Sequence, residues 1–274
     1  MIRWLLAITA LAVALPAAAR DLTVMSLNIR LPADGDGPNR WELRRDLTAA
    51  TIARADPDVI GTQELFKRQG DDLVARLPRY RWIGTGRSGT GTADDEHMGI
   101  FYRADRLRVE RWGNFWLSDT PHVAGSITWG NLYPRMVTWA IFRARDGQGF
   151  AMFNTHLPYR AEDEPAREKG AALLASRIPA IAGDLPVVVT GDFNTVPDSA
   201  THARLARDLS DVWTTTRVRS GPDATFHGFT GKPDRRIDWI FTRGFVASSV
   251  RTIDTRRGVL FPSDHYPVVA TLRR

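Results

Sequence analysis

Apolar runs of strand length alternate along the chain with longer segments in which apolar residues recur at helical spacing. Residues 22–29 predict the first strand, and residues 41–54 predict a helix. Asp56-Pro57 ends that helix, because the residue before a proline disfavours helical backbone. Val59-Ile60 then begins a short buried strand. This alternation is typical of an α/β fold.

Further segments repeat the two patterns as far as the C-terminus. Helices are predicted over 65–77, 164–182 and 200–209, and a loop rich in Gly, Ser and Thr over 84–95. Strands are predicted over 98–102, 107–117, 136–143, 150–156, 186–190, 237–241, 245–253 and 268–272. Several strands in succession favour antiparallel pairing. Because no Pro- or Gly-rich linker divides the chain, we predict one α/β sandwich with helices outside packed sheets.

The N-terminus has the three parts of an export signal. Arg3 supplies the positive charge, residues 4–15 form an apolar run, and Ala17-Ala18-Ala19 is a small-residue cleavage site. The apolar run is shorter than the ~20 residues that a transmembrane helix needs. We therefore predict a signal peptide over 1–19 and a mature domain over 20–274 that is exported, either to a periplasm or into the medium. An uncleaved membrane anchor is the alternative.

Composition narrows the classes further. The chain has 274 residues, of which 43% are hydrophobic, so it is not a disordered protein. It has no cysteine, which excludes a disulfide-stapled miniprotein, a lipoprotein anchor and a thiolate zinc site. The formal net charge is +6, and removal of Arg3 with the signal leaves +5. Positive charge favours anionic partners such as nucleic acid or acidic lipid, although a biased genomic composition explains the many arginines equally well.

Polar residues stand beside the ends of several predicted strands, where open α/β sheets commonly place ligands. They are Asn28, Glu64, His156, Asp192, Asn194, Asp264 and His265. Carboxylate and amide oxygens suit Mg²⁺, Mn²⁺ or Ca²⁺, and histidines can act as acid, base or charge stabiliser near neutral pH. A serine hydrolase is disfavoured, because no G-x-S-x-G occurs and the consecutive Ser263-Asp264-His265 cannot form a triad.

Spacing adds two constraints on these residues. Asp192 and Asn194 are two positions apart, so they share a face if the chain is extended there. Asp264 and His265 are adjacent, so their side chains diverge unless the chain turns between them.

Seven short segments run through nearly the whole mature chain in a recognisable order. They are Met25-Ser26-Leu27-Asn28, Thr62-Gln63-Glu64, Gly99-Ile100-Phe101-Tyr102-Arg103, Asn154-Thr155-His156-Leu157, Gly191-Asp192-Phe193-Asn194, Arg236-Ile237-Asp238-Trp239-Ile240 and Ser263-Asp264-His265-Tyr266-Pro267. In this order they resemble the endonuclease/exonuclease/phosphatase superfamily of metal-dependent phosphoesterases. The resemblance implies a four-layer α/β/β/α sandwich of the deoxyribonuclease I-like fold.

The resemblance also implies a role for each matching residue. Glu64 would be the principal metal ligand, with Asn28 and Asp264 beside it. The metal would be Mg²⁺, with Mn²⁺ or Ca²⁺ as alternatives. Asp192 and Asn194 would lie by the attacking water and the scissile phosphate.

Two histidines would complete the implied site. Asp238 would orient His265, which would act as general base or water-positioning group, and His156 would bind or protonate the phosphate. Glu96 would pair with His156, and Arg135 would contact the phosphate. Whether His265 or the aspartate beside the water is the base stays open. The phosphate charge, the aligned water and the leaving oxygen of phosphodiester hydrolysis would then each have a partner.

The resemblance restricts the class of substrate less than it restricts the type of reaction. Inositol-polyphosphate phosphatases carry Trp-Cys-Asp-Arg where this chain has Ile237-Asp238-Trp239-Ile240, which disfavours that branch. Asn194 followed by Pro197 and Ser199 looks like the deadenylase-like and small exported bacterial hydrolases. The stretch 225–229 resembles the exported group, and it is either a substrate-facing loop or a turn with packed aromatics.

We therefore expect an exported metal-dependent phosphoesterase that hydrolyses phosphodiester bonds, such as a nuclease, with a phosphate ester or nucleic acid as its partner. One alternative is a sphingomyelinase-like hydrolase of membrane lipid, for which Trp112, Phe115, Trp116 and Trp129 are candidate docking residues. The other is a non-catalytic binding protein on the same scaffold, which is disfavoured because every expected site position is filled. No obligate protein partner is inferred.

Overall fold

Two large β-sheets form the centre of the protein in the computed structural model, which describes residues 20–274. The predicted signal peptide, residues 1–19, lies outside the described residues. The strands are β1 (Leu22–Asn28), β2 (Val59–Gln63), β3 (Leu65–Phe66), β4 (Tyr80–Ile83), β5 (Glu96–His97), β6 (Ile100–Arg103), β7 (Leu107–Trp116), β8 (Met136–Ala144), β9 (Gly149–His156), β10 (Val187–Asp192), β11 (Ser210–Asp211), β12 (Arg219–Ser220), β13 (Asp238–Arg243), β14 (Val246–Thr252) and β15 (Val268–Arg273). The helices are α1 (Trp41–Ala55), α2 (Lys67–Arg76), α3 (Glu164–Ala182), α4 (Ala200–Leu205) and α5 (Val212–Thr215), with 3₁₀ helices at Asp34–Asn39 and Ala161–Asp163. None of the helices in residues 20–274 combines the length and the apolar composition that spanning a membrane needs.

Three apolar clusters separate four layers. The seven-stranded sheet has the order β12-β14-β15-β1-β2-β6-β4, the six-stranded sheet has the order β11-β13-β10-β9-β8-β7, and β3 pairs separately with β5. Successive residues of a strand face opposite sides of its sheet. Val24 and Met152 pack between the two sheets, whereas Met25 packs against α1 and α2, and Phe153 packs against α3 and α4. The predicted four-layer α/β/β/α sandwich is confirmed.

The same strand arrangement recurs at the centre of both sheets. In one sheet β1 runs parallel to β2 and antiparallel to β15, and in the other β10 runs parallel to β9 and antiparallel to β13. Because parallel strands end at the same edge, Asn28 comes beside Gln63, and Asp192 comes beside His156. Asp192 also pairs with Asp238, the first residue of β13. The topology thus brings the ends of these strands to one edge of each sheet.

The long helices begin and end at residues with local reasons to do so. Asp56, after α1, has a left-handed φ of 44° and donates its N–H to the carbonyl of Ile52, and Pro57 follows it. Helix α3 has Pro165 in its first turn, where a proline is tolerated, and Gly183 follows its end with a φ of 54°.

Several observed boundaries differ from the predicted ones, and for three of these differences the structure gives a physical reason. The helix predicted over 65–77 begins at Lys67, because Leu65–Phe66 pairs with Glu96–His97. Helix α4 ends at Leu205, and not at residue 209, because the chain turns there and then joins the six-stranded sheet as β11. Strand β4 was not predicted, since it is four residues long, directly follows a turn and lies at the edge of its sheet.

Candidate active site

The backbone conformation of Glu64 directs its side chain into a cleft. The cleft lies at the edge of the two sheets where β1, β2, β9 and β10 end. Glu64 directly follows β2 and has a φ of 57°. Its Oε2 accepts a hydrogen bond from the N–H of Leu31 at 2.9 Å, and its Oε1 accepts one from Nδ2 of Asn28 at 3.1 Å. Both oxygens of the carboxylate are therefore held in place by the protein.

The side chain of Asn28 links the two sheets by hydrogen bonds behind the wall of the cleft. It is fully buried at the end of β1, and its Nδ2 also donates to Oδ2 of Asp192 in the other sheet at 2.9 Å. Its Oδ1 accepts the N–H of Arg30 at 2.9 Å. The amide nitrogen of Asn28 thus lies between the carboxylates of Glu64 and Asp192, and its oxygen is bonded to backbone.

Glu64, His156 and Asp192 could hold a metal ion. One ligand atom from each of these side chains lies within 4.8 Å of the other two, and Asp192, Asp238 and His265 form a second group of the same kind. Carboxylate oxygens are preferred ligands of Mg²⁺, Mn²⁺ and Ca²⁺. The donor set around Glu64 and Asp192 therefore fits a hard divalent cation.

Asp264 stands near the same cationic side chain as Glu64. Nη1 of Arg30 is 3.9 Å from Oε2 of Glu64, and Nε of Arg30 is 3.9 Å from Oδ2 of Asp264. The hydroxyl of Ser263 donates to the carbonyl of Asn28 at 2.6 Å and lies 3.2 Å from Oδ1 of Asp264. Burial raises the pKa of Asp264, and the neighbouring charge of Glu64 acts in the same direction. A cation between the two carboxylates would relieve their repulsion.

His265 is held by Asp238. The two residues are buried, and Nδ1 of His265 lies 2.8 Å from Oδ2 of Asp238. Burial alone would lower the pKa of His265, but the charge of Asp238, with those of Asp192 and Asp264, raises it to about 10. The other ring nitrogen, Nε2, lies 3.8 Å from Oδ2 of Asp192.

His156 is held in the same way by Glu96. Nδ1 of His156 lies 3.1 Å from Oε1 of Glu96, and its Nε2 lies 3.5 Å from Oδ2 of Asp192. Burial alone would raise the pKa of Glu96, but the hydrogen bond to His156 and the charges of His156, Arg87 and Arg135 lower it to about 2. Glu96 is therefore an ionised carboxylate surrounded by the basic side chains of His156, Arg87 and Arg135.

Arg135 is buried with unused hydrogen-bonding capacity. It is 3% exposed, and its Nε and Nη1 have no hydrogen-bond partner. Nη1 lies 3.7 Å from Oε1 of Glu96, beyond hydrogen-bond distance. Burial lowers the pKa of Arg135. Unpaired donors of this kind are costly in a protein interior and fit an anion that enters the cleft.

Asn194 reaches the cleft by a different backbone from the one expected. Strand β10 ends at Asp192, and Asn194 has a left-handed φ of 52°. Its N–H donates to Oδ1 of Asp192 at 3.0 Å, and its Nδ2 donates to the carbonyl of Leu157 at 3.0 Å. The chain is not extended here, because it turns after Asp192, so the condition for a shared face is not met.

These side chains line one cleft of about 520 Å³. The predicted residues on its wall are Glu64, Glu96, Arg135, His156, Asp192, Asn194, Asp264 and His265. Of the other predicted site residues, Asn28 and Asp238 lie behind the wall and bond to residues on it.

Sequence reasoning missed several residues of the wall. They are Arg30, Leu31, Arg87, Tyr133, Tyr159, Arg235 and Ile237. Phe226 also lines the cleft, and it lies in the stretch 225–229 that the sequence offered as a substrate-facing loop. Arg30 lies two residues after the predicted site residue Asn28. The sequence does not mark Arg87 as a site residue, because it shows only that Arg87 lies in a polar loop.

The stretch 225–229 combines both roles left open for it. The ring of Phe226 lines the cleft and packs edge-on against the ring of His265, with centroids 5.0 Å apart. His227 instead is buried and packs against Tyr266, with centroids 4.2 Å apart. The ring of Phe226 therefore faces the cleft, whereas the ring of His227 lies in the core.

Two of the four candidate membrane-docking residues are core residues. Phe115 is 5% exposed and Trp116 is 7% exposed, so the suggestion that these two dock on a membrane is wrong. Trp129 packs partly buried against the apolar cluster under α3. Trp112 is 43% exposed.

Comparison with known proteins places this geometry in context. The model of the endonuclease/exonuclease/phosphatase family matches residues 25–265. The solved structure of an endonuclease/exonuclease/phosphatase from Bacteroides vulgatus is similar with a TM-score of 0.88 and 32% identity, over 93% of this chain and 99% of that chain. A mannosyl-6-phosphatase from Bacteroides thetaiotaomicron is similar with a TM-score of 0.86 and 31% identity, over 92% of this chain and 100% of that one. A curated uncharacterised protein of Acanthamoeba polyphaga mimivirus is 30% identical over 165 residues, and the chain spans 60% of that relative's length.

Proposed function

The chain belongs to the endonuclease/exonuclease/phosphatase family, and we propose that it is an exported, divalent-metal-dependent phosphoesterase that removes phosphate from a small molecule such as a phosphorylated sugar. One observation carries the proposal of phosphoester hydrolysis. Nε2 of His156 and Nε2 of His265 lie 3.5 Å and 3.8 Å from the same atom, Oδ2 of Asp192. Two nitrogen donors and a carboxylate around one point can hold phosphate oxygens and align a water.

Each of these three side chains has a partner that fixes its orientation. Asp192 is placed to orient or deprotonate the attacking water, and its Oδ1 is held by the N–H of Asn194. Glu96 and Asp238 occupy the Nδ1 side of each ring, so the Nε2 atoms of His156 and His265 face the cleft, and in the imidazolium form they can donate to phosphate oxygens. The raised pKa of His265, about 10, keeps its ring protonated near neutral pH, which favours the role of donor over that of general base.

Glu64, with Asp192 and Asp264, would hold the metal, which we propose to be Mg²⁺, with Mn²⁺ or Ca²⁺ as alternatives. Asn28 would instead orient Glu64 and Asp192, because its Nδ2 donates to both carboxylates. When bound, such an ion neutralises charge on the phosphate as a Lewis acid. Arg135 would bind a non-bridging oxygen through its unpartnered Nε and Nη1.

The walls of the cleft support a small substrate. A volume of about 520 Å³ is within the range of small-molecule sites, and Tyr133, Tyr159 and Phe226 offer aromatic surface for a sugar ring or a base. The similar Bacteroides thetaiotaomicron protein is named a mannosyl-6-phosphatase, which is the ground for naming a phosphorylated sugar first.

Phosphodiester cleavage, as in a nuclease, is the second candidate. It is favoured by the net charge of +6 and by three further arginines on the wall, Arg30, Arg87 and Arg235, since positive charge dominates the binding of nucleic acid. A phospholipid substrate has less support, because Phe115 and Trp116 are buried.

A substrate panel with the purified mature chain, residues 20–274, separates these candidates. Inorganic phosphate is measured from mannose 6-phosphate, p-nitrophenol from p-nitrophenyl phosphate and bis-p-nitrophenyl phosphate, strand cleavage from single-stranded DNA and RNA, and phosphocholine from sphingomyelin vesicles, each in Mg²⁺ and in EDTA. We expect the sugar phosphate to be the best substrate and EDTA to abolish its hydrolysis. A preference for DNA, RNA or the diester would make the second candidate the function.

Matched variants test whether this site is responsible. Glu64→Ala and His265→Ala are expected to abolish metal-dependent hydrolysis, whereas Glu168→Ala and His122→Ala, at exposed positions, should retain it. Hydrolysis that persists in EDTA, or that survives Glu64→Ala and His265→Ala, contradicts the proposal.

Export rests on the predicted signal peptide alone. Expression of the full chain in a bacterial host, followed by fractionation and N-terminal sequencing, should give a processed protein that begins at Arg20 outside the cytoplasm. Retention of an unprocessed chain in the cytoplasm or the membrane would contradict it.

A further inference from the structure

Arg30 is the cation nearest to Glu64 and Asp264, and its backbone is fixed on both sides. It has a left-handed φ of 59°. Its N–H donates to Oδ1 of Asn28 at 2.9 Å, and its carbonyl accepts hydrogen bonds from Arg44 at 2.7 Å and from Gln69 at 2.8 Å. These hydrogen bonds fix the backbone of Arg30, and the fixed backbone places its side chain at the cleft.

The guanidinium of Arg30 is held by a third carboxylate. Its Nε and Nη2 donate to the two oxygens of Asp36 at 3.0 Å and 2.8 Å. The same group stays 3.9 Å from both Glu64 and Asp264, beyond hydrogen-bond distance. Asp36 thus keeps the charge close to two carboxylates without letting it close on either.

We propose that Arg30, restrained by Asp36, is a positioning residue that weakens and thereby tunes binding of the divalent cation at Glu64 and Asp264. The proposal rests on the metal site of the proposed function. A fixed positive charge next to a dication raises the free energy of the occupied site. In the metal-free site the same charge offsets repulsion between the carboxylates, so it stabilises the state without metal as well.

The two residues of the pair should act in opposite directions. Arg30→Gln removes the repelling charge beside Glu64 and Asp264, so affinity for the cation should rise. Asp36→Asn releases the guanidinium to close on Glu64 or Asp264, so affinity should fall. A purely structural role of Arg30 would give the reverse sign for Arg30→Gln, because loosening the loop would weaken the site.

The test is isothermal titration of the mature chain with Mg²⁺, with thermal unfolding in EDTA to confirm that each variant is folded. We expect the dissociation constant to decrease about tenfold in Arg30→Gln and to increase at least about threefold in Asp36→Asn, as electrostatic effects at a partly exposed site imply. Arg30→Lys, which keeps the charge, should stay within about twofold of the wild type. Arg68→Gln, an exposed arginine of α2, is the matched control and should change nothing.

The double variant and the wild type complete the test. In Arg30→Gln, the added Asp36→Asn change should lose most of its effect, because the group it releases is absent. Unchanged or weaker binding by a folded Arg30→Gln overturns the proposal while leaving the metal-dependent function intact. Absence of Mg²⁺ binding by the wild type and by Arg30→Gln alike would overturn both.

Discussion

Nδ1 of His265 lies 2.8 Å from Oδ2 of Asp238, and this contact turns the other ring nitrogen toward Asp192, 3.8 Å away. His156 stands in the same relation to Glu96, with its own Nε2 3.5 Å from Asp192. Each histidine is thus oriented from behind by a buried carboxylate. The two rings converge on one oxygen, His156 from the end of β9 and His265 from the segment that precedes β15.

Asp238→Asn is expected to lower kcat by about 10²- to 10⁴-fold, because an amide at this position no longer fixes the tautomer of His265 or stabilises its cation. The dissociation constant for Mg²⁺ should change little, since Asp238 is not one of the residues grouped around Glu64, where the cation is proposed to bind. The measurements are steady-state kinetics on the best substrate of the panel and isothermal titration with Mg²⁺.

The chain offers a matched control for that variant. His202 and Asp211 form another histidine–carboxylate pair at 2.9 Å, in which Asp211 is buried and His202 is partly buried, and neither residue lines the cleft. Asp211→Asn should lower the free energy of unfolding and leave kcat of the folded protein unchanged. If both aspartate variants reduced kcat equally, the loss in Asp238→Asn would reflect general destabilisation.

Much of this fold and site could be predicted because the signals are local. A strand that ends in a polar residue is visible in the sequence, so Asn28, Glu64 and Asp192 could be placed at strand ends from the order of residues alone. The sequence also predicts that the adjacent side chains of Asp264 and His265 diverge. They do contact different residues, because Asp264 lies near Arg30 and His265 bonds to Asp238.

What could not be predicted depends on contacts between distant segments. Arg87 was one residue of a polar loop, and its pairing with Glu96 at 2.7 Å exists only because that loop folds beside β5. Asp36 likewise gave no signal, since its partner is Arg30 and its effect is on Glu64 and Asp264. The edge strand β4 was missed because four residues carry too short a pattern.

Arg135→Met is expected to raise KM at least about tenfold for a phosphate ester, and the free energy of unfolding should fall by no more than about 1 kcal/mol. The reason is that Nε and Nη1 of Arg135 are buried without hydrogen-bond partners, so the folded protein loses mainly the attraction between Arg135 and Glu96 across 3.7 Å. Substrate kinetics and urea unfolding measure the two effects.

Arg236→Met is the contrasting control. Arg236 is also buried, but its Nη1 pairs with Asp211 at 2.9 Å, so its removal should cost about 3 kcal/mol of stability. Equal destabilisation by the two variants would show that Arg135 is a structural residue.

Glu96 should make stability fall in acid. Its pKa of about 2 lies below the ordinary glutamate value of 4.5, so its ionised form favours the folded state. That contribution is complete above the unfolded pKa and is lost as pH falls from about 4.5 toward 2. In urea unfolding of metal-free protein, the difference between wild type and Glu96→Gln should be constant above pH ~5 and shrink below it. A difference independent of pH down to 3 would contradict the assignment.

Phe226→Ala is expected to raise KM for the preferred substrate by up to about tenfold while leaving Mg²⁺ binding unchanged. Phe226 supports the cleft in two ways: its ring packs against His265, and the guanidinium of Arg235 lies 4.7 Å from its centroid. Phe229, three residues on, does not line the cleft. Phe229→Ala should therefore leave KM unchanged, and a similar rise in both variants would show only loop disruption.

Arg44→Met is expected to destabilise the protein by about 3 kcal/mol or more and to weaken Mg²⁺ binding. Arg44 is fully buried, and its guanidinium donates only to backbone carbonyls, those of Ile29, Arg30, Asn39 and Pro262. These carbonyls belong to the segments that precede Asp264 and carry Arg30, so their release should loosen the metal side of the cleft.

Arg167 provides the comparison on the other sheet, since it is 4% exposed and donates to the carbonyls of Pro158 and Arg160 in the segment after β9. Arg167→Met should destabilise the fold to a similar extent, because it orphans buried carbonyls in the same way. Its segment follows His156 and carries Tyr159, so KM should rise while the dissociation constant for Mg²⁺ stays near that of the wild type. Urea unfolding, titration with Mg²⁺ and substrate kinetics on both variants separate the two effects. Equal loss of Mg²⁺ affinity in both would mean that the two walls of the cleft are not held independently.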